Sequence, residues 1–294
     1  MSLLVQIEPF GADRPRVTRR VRFEYSEDFN PRWHPLLPEL ACVANSVSMM
    51  MPHAEPYVAK SVRATTDHLD PDLAIEVRSF VAEELQHHAQ HRRFNDVILR
   101  DQPSLRRLDR LMSWTFARLS ARSVAFNAGF AAGFETIAYA VARWVEARLG
   151  DLFDGADDEA ATLFLWHLAE EVGHKTIAFD AFHQVSGKRR TYVAAMTTAM
   201  VLLGFFAAVG TVQMLWHQRR ILRPIAHWRM LRWTLSFLFE LLPAMVVSAL
   251  PGHHPSNLVD PSFYGQWLEH FDADDGTLPL WSTSEGTGMP ALSV

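Results

Sequence analysis

The chain has 294 residues, enough for one large helical domain or two small ones, and its 49% apolar and 21% charged composition excludes disorder over most of its length. The net charge of −5 excludes a basic nucleic-acid-binding surface as the main feature, so no nucleic-acid partner is expected. Cys42, the only cysteine, excludes an internal disulfide or thiolate metal site and leaves imidazole and carboxylate as ligands. Those ligands favour iron, manganese or zinc.

The first 34 residues are predicted to form an irregular arm packed on the domain. Pro9, Gly11, Pro15 and Pro31 interrupt any regular pattern there. The opening residues lack the long apolar run and the cleavage site of a signal peptide, so we expect a cytoplasmic protein.

Residues 35–187 are predicted to form an all-α bundle that carries the chemistry. Apolar residues recur at helical spacing over 35–51, and Pro52 is expected to interrupt or kink that helix. Glu55 follows this predicted break, in an otherwise apolar neighbourhood.

Two later helices carry the same pair of ligand types. Glu84 and His87 lie on a long helix predicted over 70–100, and Glu171 and His174 lie on a later helix. At about 100° per residue, an offset of three places both members of a pair on one helical face.

A central helix lies between the two Glu/His helices in the sequence. It lies within residues 103–149, with a joint near Arg122, and its second half is apolar almost all round, with Glu135 as the one acid in its middle. The second Glu/His helix follows a loop rich in Gly and Asp, and it is predicted to run unbroken through Asp180 to Gly187.

Two neighbouring divalent ions require about four carboxylates and one imidazole per ion, with positions left open for substrate. The sequence offers this set as six candidate metal ligands: Glu55, Glu84, His87, Glu135, Glu171 and His174. The alternatives are solvated i, i+3 ion pairs on the two helices, a buried acid without a metal at Glu135, and a capping or salt-bridge role for Glu55.

Five further acidic and histidine side chains lie near the candidate ligands in the sequence. Glu83, His88 and Glu170 belong to rival i, i+4 pairs, and we expect them to face elsewhere. His91 and His167 lie one turn along the ligand faces. Each is expected to hydrogen-bond a ligand carboxylate, with a third nitrogen ligand or a proton shuttle as the alternatives.

Residues 188–252 are predicted to form an apolar helical hairpin. The run 193–216 contains no charge, the run 233–250 contains only Glu240, and the connector between them is rich in arginine. The first run is long enough to span a bilayer, and tryptophans lie where interfacial aromatics would. We expect this region to associate with a membrane, either at its surface or as an inserted hairpin; packing on the bundle or in a homodimer interface is the alternative. Residues 253–294 are predicted to be a tail with a disordered end.

Four segments carry a family resemblance: MPHAEPYVAKSVR, AEELQHHAQHRRF, GFETIAYAVA and WHLAEEVGHKTIAFDAF. They resemble the conserved blocks of the bacterial family of predicted metal-dependent hydrolases, which belongs with the ferritin-like proteins, over roughly residues 20–250. The resemblance implies a ferritin-like four-helix bundle and a metal role for the six candidate ligands, and it suggests His91 and His167 as well. Many relatives have His directly after the third-helix Glu, where this chain has Thr136.

The expected function is O2-dependent oxidation of a hydrophobic small molecule by two divalent ions, with iron expected and manganese or zinc as alternatives. Such an enzyme would need an electron donor. The predicted cavity lining is Phe126, Phe130, Phe134 and Trp166. The alternatives are hydrolysis by a metal-activated water, with Glu170 as general base, and non-catalytic metal storage or a structural metal site.

Overall fold

A computed structural model describes residues 22–26 and 29–270, with the side chains of 268–270 left out of the description. The described part is helical and contains no strand, which confirms the all-α class. Its α-helices are α1 (Pro38–Arg63), α2 (Pro71–Asp101), α3 (Arg106–Leu119), α4 (Val124–Glu146), α5 (Leu149–Phe153), α6 (Asp158–His174), α7 (Ile177–Val185), α8 (Arg189–His217), α9 (Pro224–Ser248) and α10 (Ser262–His270).

The predicted interruption at Pro52 is wrong, because α1 continues through both Pro52 and Pro56. A proline lacks an N–H, so each one leaves the carbonyl four residues earlier without its helical donor. Helix α2 supplies both missing donors. Asn95 Nδ2 donates to the Ser48 carbonyl at 2.8 Å, and His88 Nδ1 lies 3.0 Å from the Pro52 carbonyl. Side chains of α2 therefore complete the hydrogen bonding of α1.

Helix α2 begins where its sequence signals predict. The Asp70 side chain accepts a hydrogen bond from the Leu73 N–H at 2.9 Å, and Pro71 occupies the first turn. The joint predicted near Arg122 is the turn between α3 and α4, and the Ser123 hydroxyl caps α4 through the Phe126 N–H.

The helix predicted to run unbroken to Gly187 is divided in two. Helix α6 ends at His174 and α7 begins at Ile177, so the prediction of one helix is wrong at this point. The turn places Lys175 against the C-terminal segment, where its Nζ donates to the Leu258 carbonyl at 3.3 Å and pairs with Asp260. A long-range contact of this kind has no local sequence signal.

Helix α4 is central to the packing. It contacts α1, α6 and α7 within the bundle and carries α8 and α9 on its outer side. Close approach of α8 depends on two glycines. A Cβ at Gly133 of α4 would lie 2.6 Å from the Met196 Cα, and one at Gly210 of α8 would lie 2.7 Å from the Ser46 Oγ of α1. Helices α1 and α4 therefore pack closely against α8.

The apolar C-terminal region forms two long consecutive helices, α8 and α9, joined by a short connector. Helix α8 packs on α4 and α1, whereas α9 packs chiefly on α4, and each has little contact with the other. Beyond them, α10 packs on α6 with Phe263 buried. The disorder predicted for the chain end concerns residues outside the described part, as does most of the N-terminal arm. Phe23 of the arm is buried and its N–H donates to Gln90 at 3.0 Å.

Candidate metal centre

The six candidate ligands come from four helices and are buried. Five of them belong to two close groups of donor atoms, and Glu135 belongs to neither group but interacts with Glu171. Glu55 lies on α1, Glu84 and His87 on α2, Glu135 on α4, and Glu171 and His174 on α6. None of the six residues is more than 1% exposed. The i, i+3 spacing on α2 and α6 aims both pairs at the same interior space, as the helical repeat requires.

Two groups of buried side chains have the geometry to hold a metal ion. In the first, one donor atom from each of Glu84, His87, Glu171 and His174 lies within 4.8 Å of all the others. In the second, the same holds for Glu55, His91 and His167.

Glu171 joins the two groups. Its Oε1 lies 3.2 Å from His87 Nδ1, 3.9 Å from His174 Nδ1 and 3.0 Å from His167 Nε2. Glu84 Oε1 lies 2.9 Å from His174 Nδ1. The two groups are therefore parts of one continuous site.

The two imidazoles are each held from behind by another carboxylate. His87 Nε2 lies 2.9 Å from Glu170 Oε2, and His174 Nε2 lies 2.9 Å from Glu83 Oε2. Both Nδ1 atoms consequently face the inner carboxylates. A carboxylate on the outer nitrogen fixes the tautomer and the orientation of a metal-binding imidazole.

Glu83 and Glu170 lie off the inner faces of their helices, as the register predicts, but both are buried against the rings, which the sequence pattern did not indicate. The position of Glu170 behind His87 does not suit the general-base role expected for it. His88 points away from the site, to the Pro52 carbonyl.

The site carries more buried acid than the neighbouring histidines balance. Burial raises the pKa of the Glu55 and Glu135 carboxyls well above the usual value, and burial together with the Glu171 charge raises that of Glu84. Burial also acts to raise the pKa of Glu171, but the neighbouring His167 and His87 rings hold it well below its usual range. The buried carboxylates therefore outnumber the positive charges that could neutralise them.

The histidines divide into two kinds. Burial acts to lower the pKa of His87 and His174, yet the neighbouring carboxylates Glu170 and Glu171 raise the first well above normal, and Glu83 and Glu84 raise the second to about 9. Burial and the nearby His87 lower the pKa of His167 to about 4. His167 is therefore a neutral imidazole, the form that binds a metal ion.

Unsatisfied polar atoms test whether metal ions fit this site. Eight buried side-chain atoms of the six candidate ligands have no partner in hydrogen-bond geometry, although the two Nδ1 atoms lie close to carboxylate oxygens: both oxygens of Glu55 and of Glu135, one oxygen of Glu84 and of Glu171, and Nδ1 of His87 and of His174. Buried polar atoms are normally satisfied, because leaving them unpaired is costly. All eight are oxygen or imidazole nitrogen donors, which divalent ions such as iron, manganese and zinc accept. The donor set therefore fits divalent metal ions.

The apolar surround differs in part from the predicted one. The ring centroid of Trp166 lies 4.9 Å from that of His87, and Phe80 lies 4.7 Å from His174. Phe80 was not predicted, although it lies one turn before Glu84 on α2. Phe130 and Phe134 pack on one another, and Phe130 also packs on Tyr57. The Phe126 ring lies beneath the guanidinium of Arg122.

Thr136, the departure from the family pattern, contributes to packing outside the bundle. Its hydroxyl lies 2.9 Å from the Ala132 carbonyl and 2.9 Å from the Tyr192 hydroxyl on α8. No contact between Thr136 and the ligand carboxylates occurs in the described part of the chain.

The fold and the site together define an all-α protein whose buried Glu and His groups could hold divalent metal ions. The family to which the chain belongs agrees with this class. The model of the family described as "Predicted metal-dependent hydrolase" matches residues 17–258, so the chain is a member of that family. No curated protein and no solved structure matches the chain.

Proposed function

We propose that this protein is an enzyme with a dinuclear metal centre. Its ligands are Glu55, Glu84, His87, Glu135, Glu171 and His174, joined by His167. The observation that carries the proposal is a set of eight buried, unsatisfied donor atoms from four helices, with Glu84, His87, Glu171 and His174 placing donor atoms within 4.8 Å of one another. Four carboxylates offset the charge of two divalent ions, so loading the site removes both the unpaired donors and the excess negative charge.

A chain of hydrogen bonds supports His167 as the third nitrogen ligand. It begins at Pro52, which leaves the Ser48 carbonyl to be satisfied by the Asn95 amide nitrogen at 2.8 Å. That contact orients the amide, so Asn95 Oδ1 accepts the proton of the Ser48 hydroxyl at 2.7 Å.

The direction of this hydrogen bond also determines the tautomers of His91 and His167. Ser48 Oγ has donated its proton to Asn95, so it accepts from His91 Nδ1 at 2.8 Å. His91 Nε2 then carries a lone pair and accepts from His167 Nδ1 at 2.5 Å. The proton of His167 is consequently on Nδ1, and its Nε2 lone pair faces Glu171 Oε1 at 3.0 Å and Glu55 Oε1 at 3.5 Å. Two ionised carboxylates repel this lone pair, and a cation between them removes the repulsion.

Hydrolysis is the reaction that the family description supports. Two bound ions would supply an activated water at neutral pH and polarise the bond to be cleaved. Glu83 and Glu170 orient the two imidazoles from behind, while Phe80 and Trp166 shield the rings from bulk water. A hydrophobic small molecule suits this surround as substrate.

O2-dependent oxidation is the second candidate, and one observation favours it. Each ligand residue is at most 1% exposed, and aromatic rings pack against both imidazoles. O2 enters such an enclosed site more easily than a large polar substrate does. An iron pair would supply electrons to O2, and an external electron donor would restore them.

Metal reconstitution separates the two reactions. Protein loaded with zinc or manganese is expected to hydrolyse ester or phosphate substrates in the absence of O2, and the Glu171→Ala protein is expected to lose that activity. Activity confined to the iron-loaded protein, with O2 consumption and a visible absorption change on admitting air, would replace hydrolysis by oxidation. Iron uptake far above two ions per chain would instead indicate storage.

A further inference from the structure

The outer faces of α8 and α9 expose a large apolar surface. On α8 the exposed large residues follow one stripe, with Val201, Phe205, Val212 and Trp216 at helical spacing. Helix α9 exposes a similar row that includes Trp228 and Phe239. Trp216 is 71% exposed and Phe239 is 76% exposed, although both lie in helices with the hydropathy of membrane spans. We call these six residues and the helix faces that carry them the apolar face. Exposed apolar rows of this kind indicate a binding site.

The charged residues around the apolar face are almost all positive. Residues 188–250 contain eight Lys and Arg residues and a single acid, Glu240, which pairs with Arg148 of α4. Lys188, Arg189 and Arg190 are exposed at one end of α8, and the α8–α9 connector exposes arginine at the other. The apolar face is thus flanked by positive charge in a chain whose net charge is −5.

Two of the arginines already have a partner within the bundle. Arg220 and Arg229 donate to the buried Glu39 carboxylate at 3.1 and 2.9 Å, so they hold α8 and α9 to α1. Arg223 and Arg232 are exposed. These two side chains are placed to contact an anionic layer beside the apolar face.

The packing of α8 determines how a bilayer could be bound. At about 1.5 Å per residue, α8 is long enough to cross the hydrocarbon core. However, it is locked lengthwise on α1 and α4, and α1 carries α2. Helix α2 exposes Asp72, Glu76, Arg78 and Arg92, which would be drawn into the hydrocarbon if α8 crossed it. The helices therefore suit a position parallel to the membrane plane.

We propose that the apolar face docks the protein on an anionic lipid bilayer, with α8 and α9 in the plane of the interface and Arg223 and Arg232 among the headgroups. A second copy of the chain is a poorer occupant, because residues 188–250 offer no acid to neutralise the flanking arginines apart from the paired Glu240. An anionic lipid layer supplies that complement.

Vesicle sedimentation of the full chain tests the proposal. We expect the protein to sediment with vesicles of phosphatidylcholine containing phosphatidylglycerol and to bind much less to phosphatidylcholine alone. Removing two arginines near the surface, in the Arg223→Gln/Arg232→Gln protein, is expected to weaken binding about thirtyfold, from about 1 kcal/mol per charge. Phe239→Glu is expected to weaken it more than tenfold.

Matched substitutions outside the apolar face provide the controls. Trp114 on α3 is 57% exposed, and Arg78 and Arg92 are exposed on α2, so Trp114→Glu and Arg78→Gln/Arg92→Gln should bind vesicles like the unchanged protein. Equal binding by the test and control variants would overturn the proposal. So would a protein that ignores both vesicle types, or a stable homodimer that Phe239→Glu separates without any vesicle binding.

Discussion

At the scale of single residues, Ser48 connects the metal site to the backbone of α1. Pro52 leaves the Ser48 carbonyl without a helical donor, so the Asn95 amide donates to it. The Ser48 hydroxyl donates to the oxygen of that amide and therefore accepts from His91. Neither Ser48 nor Asn95 has a charge or a ligand spacing that sequence analysis could single out. Their importance follows only from the contact between α1 and α2.

Ser48→Ala should therefore alter the metal site without removing a ligand. Without the hydroxyl, the tautomer of His91 is no longer fixed, so His167 loses the donor–acceptor pattern that directs its Nε2 lone pair inward. We expect metal affinity to fall about tenfold or more, the range for loss of a group that orients a ligand. A shift in the visible absorption bands of the cobalt-substituted protein is also expected.

Ser61 provides the matched control on the same helix. It is buried and its hydroxyl donates only to the Tyr57 carbonyl at 2.6 Å, so Ser61→Ala should leave the cobalt spectrum unchanged. Ser48→Thr restores a hydroxyl and should restore the spectrum. Identical spectra for Ser48→Ala and the unchanged protein would contradict the proposed role of the hydrogen-bond chain.

The residue scale also shows what the sequence could and could not predict. The offsets on α2 and α6 predicted which acids and histidines face inward, because a helical repeat alone determines that. The same offsets could not show that Glu83 would meet His174, or Glu170 His87, because each pair joins different helices. Those contacts depend on the packing of α2 beside α6.

At the scale of elements, α1 shows why local rules misplace a helix end. Two prolines four residues apart predict a break, and each does remove one helical hydrogen bond. The helix continues because Asn95 and His88 of α2 replace the missing donors. The divided α6–α7 segment is the converse case, since it breaks just after Gly173 without a proline.

This explanation predicts coupling between His88 and Pro56. In the native background, His88→Ala removes the donor to the Pro52 carbonyl and should reduce the free energy of unfolding by about 1–3 kcal/mol. In a Pro56→Ala background, the backbone N–H that the substitution introduces can donate to the same carbonyl, so the added His88→Ala change should cost much less. Urea denaturation of the four proteins measures the coupling. An equal cost of His88→Ala in both backgrounds would contradict the explanation.

At the scale of the whole molecule, the protein combines a buried metal-binding bundle with an apolar outer surface. The sequence predicted both regions, because carboxylate spacing and long uncharged runs are local properties. It left open how the two apolar helices pack, because their position on α4 depends on Gly133, Gly210 and the Glu39–arginine contacts. The packing favours the surface position proposed for α8 and α9 over a membrane-spanning one.

The measurement that tests the central claim most directly is the number of metal ions per chain. Elemental analysis of the protein purified from its native host should give two divalent ions per chain. The Glu84→Ala and His174→Ala proteins should lose bound metal, whereas Glu76→Ala, an exposed acid on the outer face of α2, should keep both ions. A native protein without bound metal, or full occupancy in both Glu84→Ala and His174→Ala, would contradict the dinuclear centre.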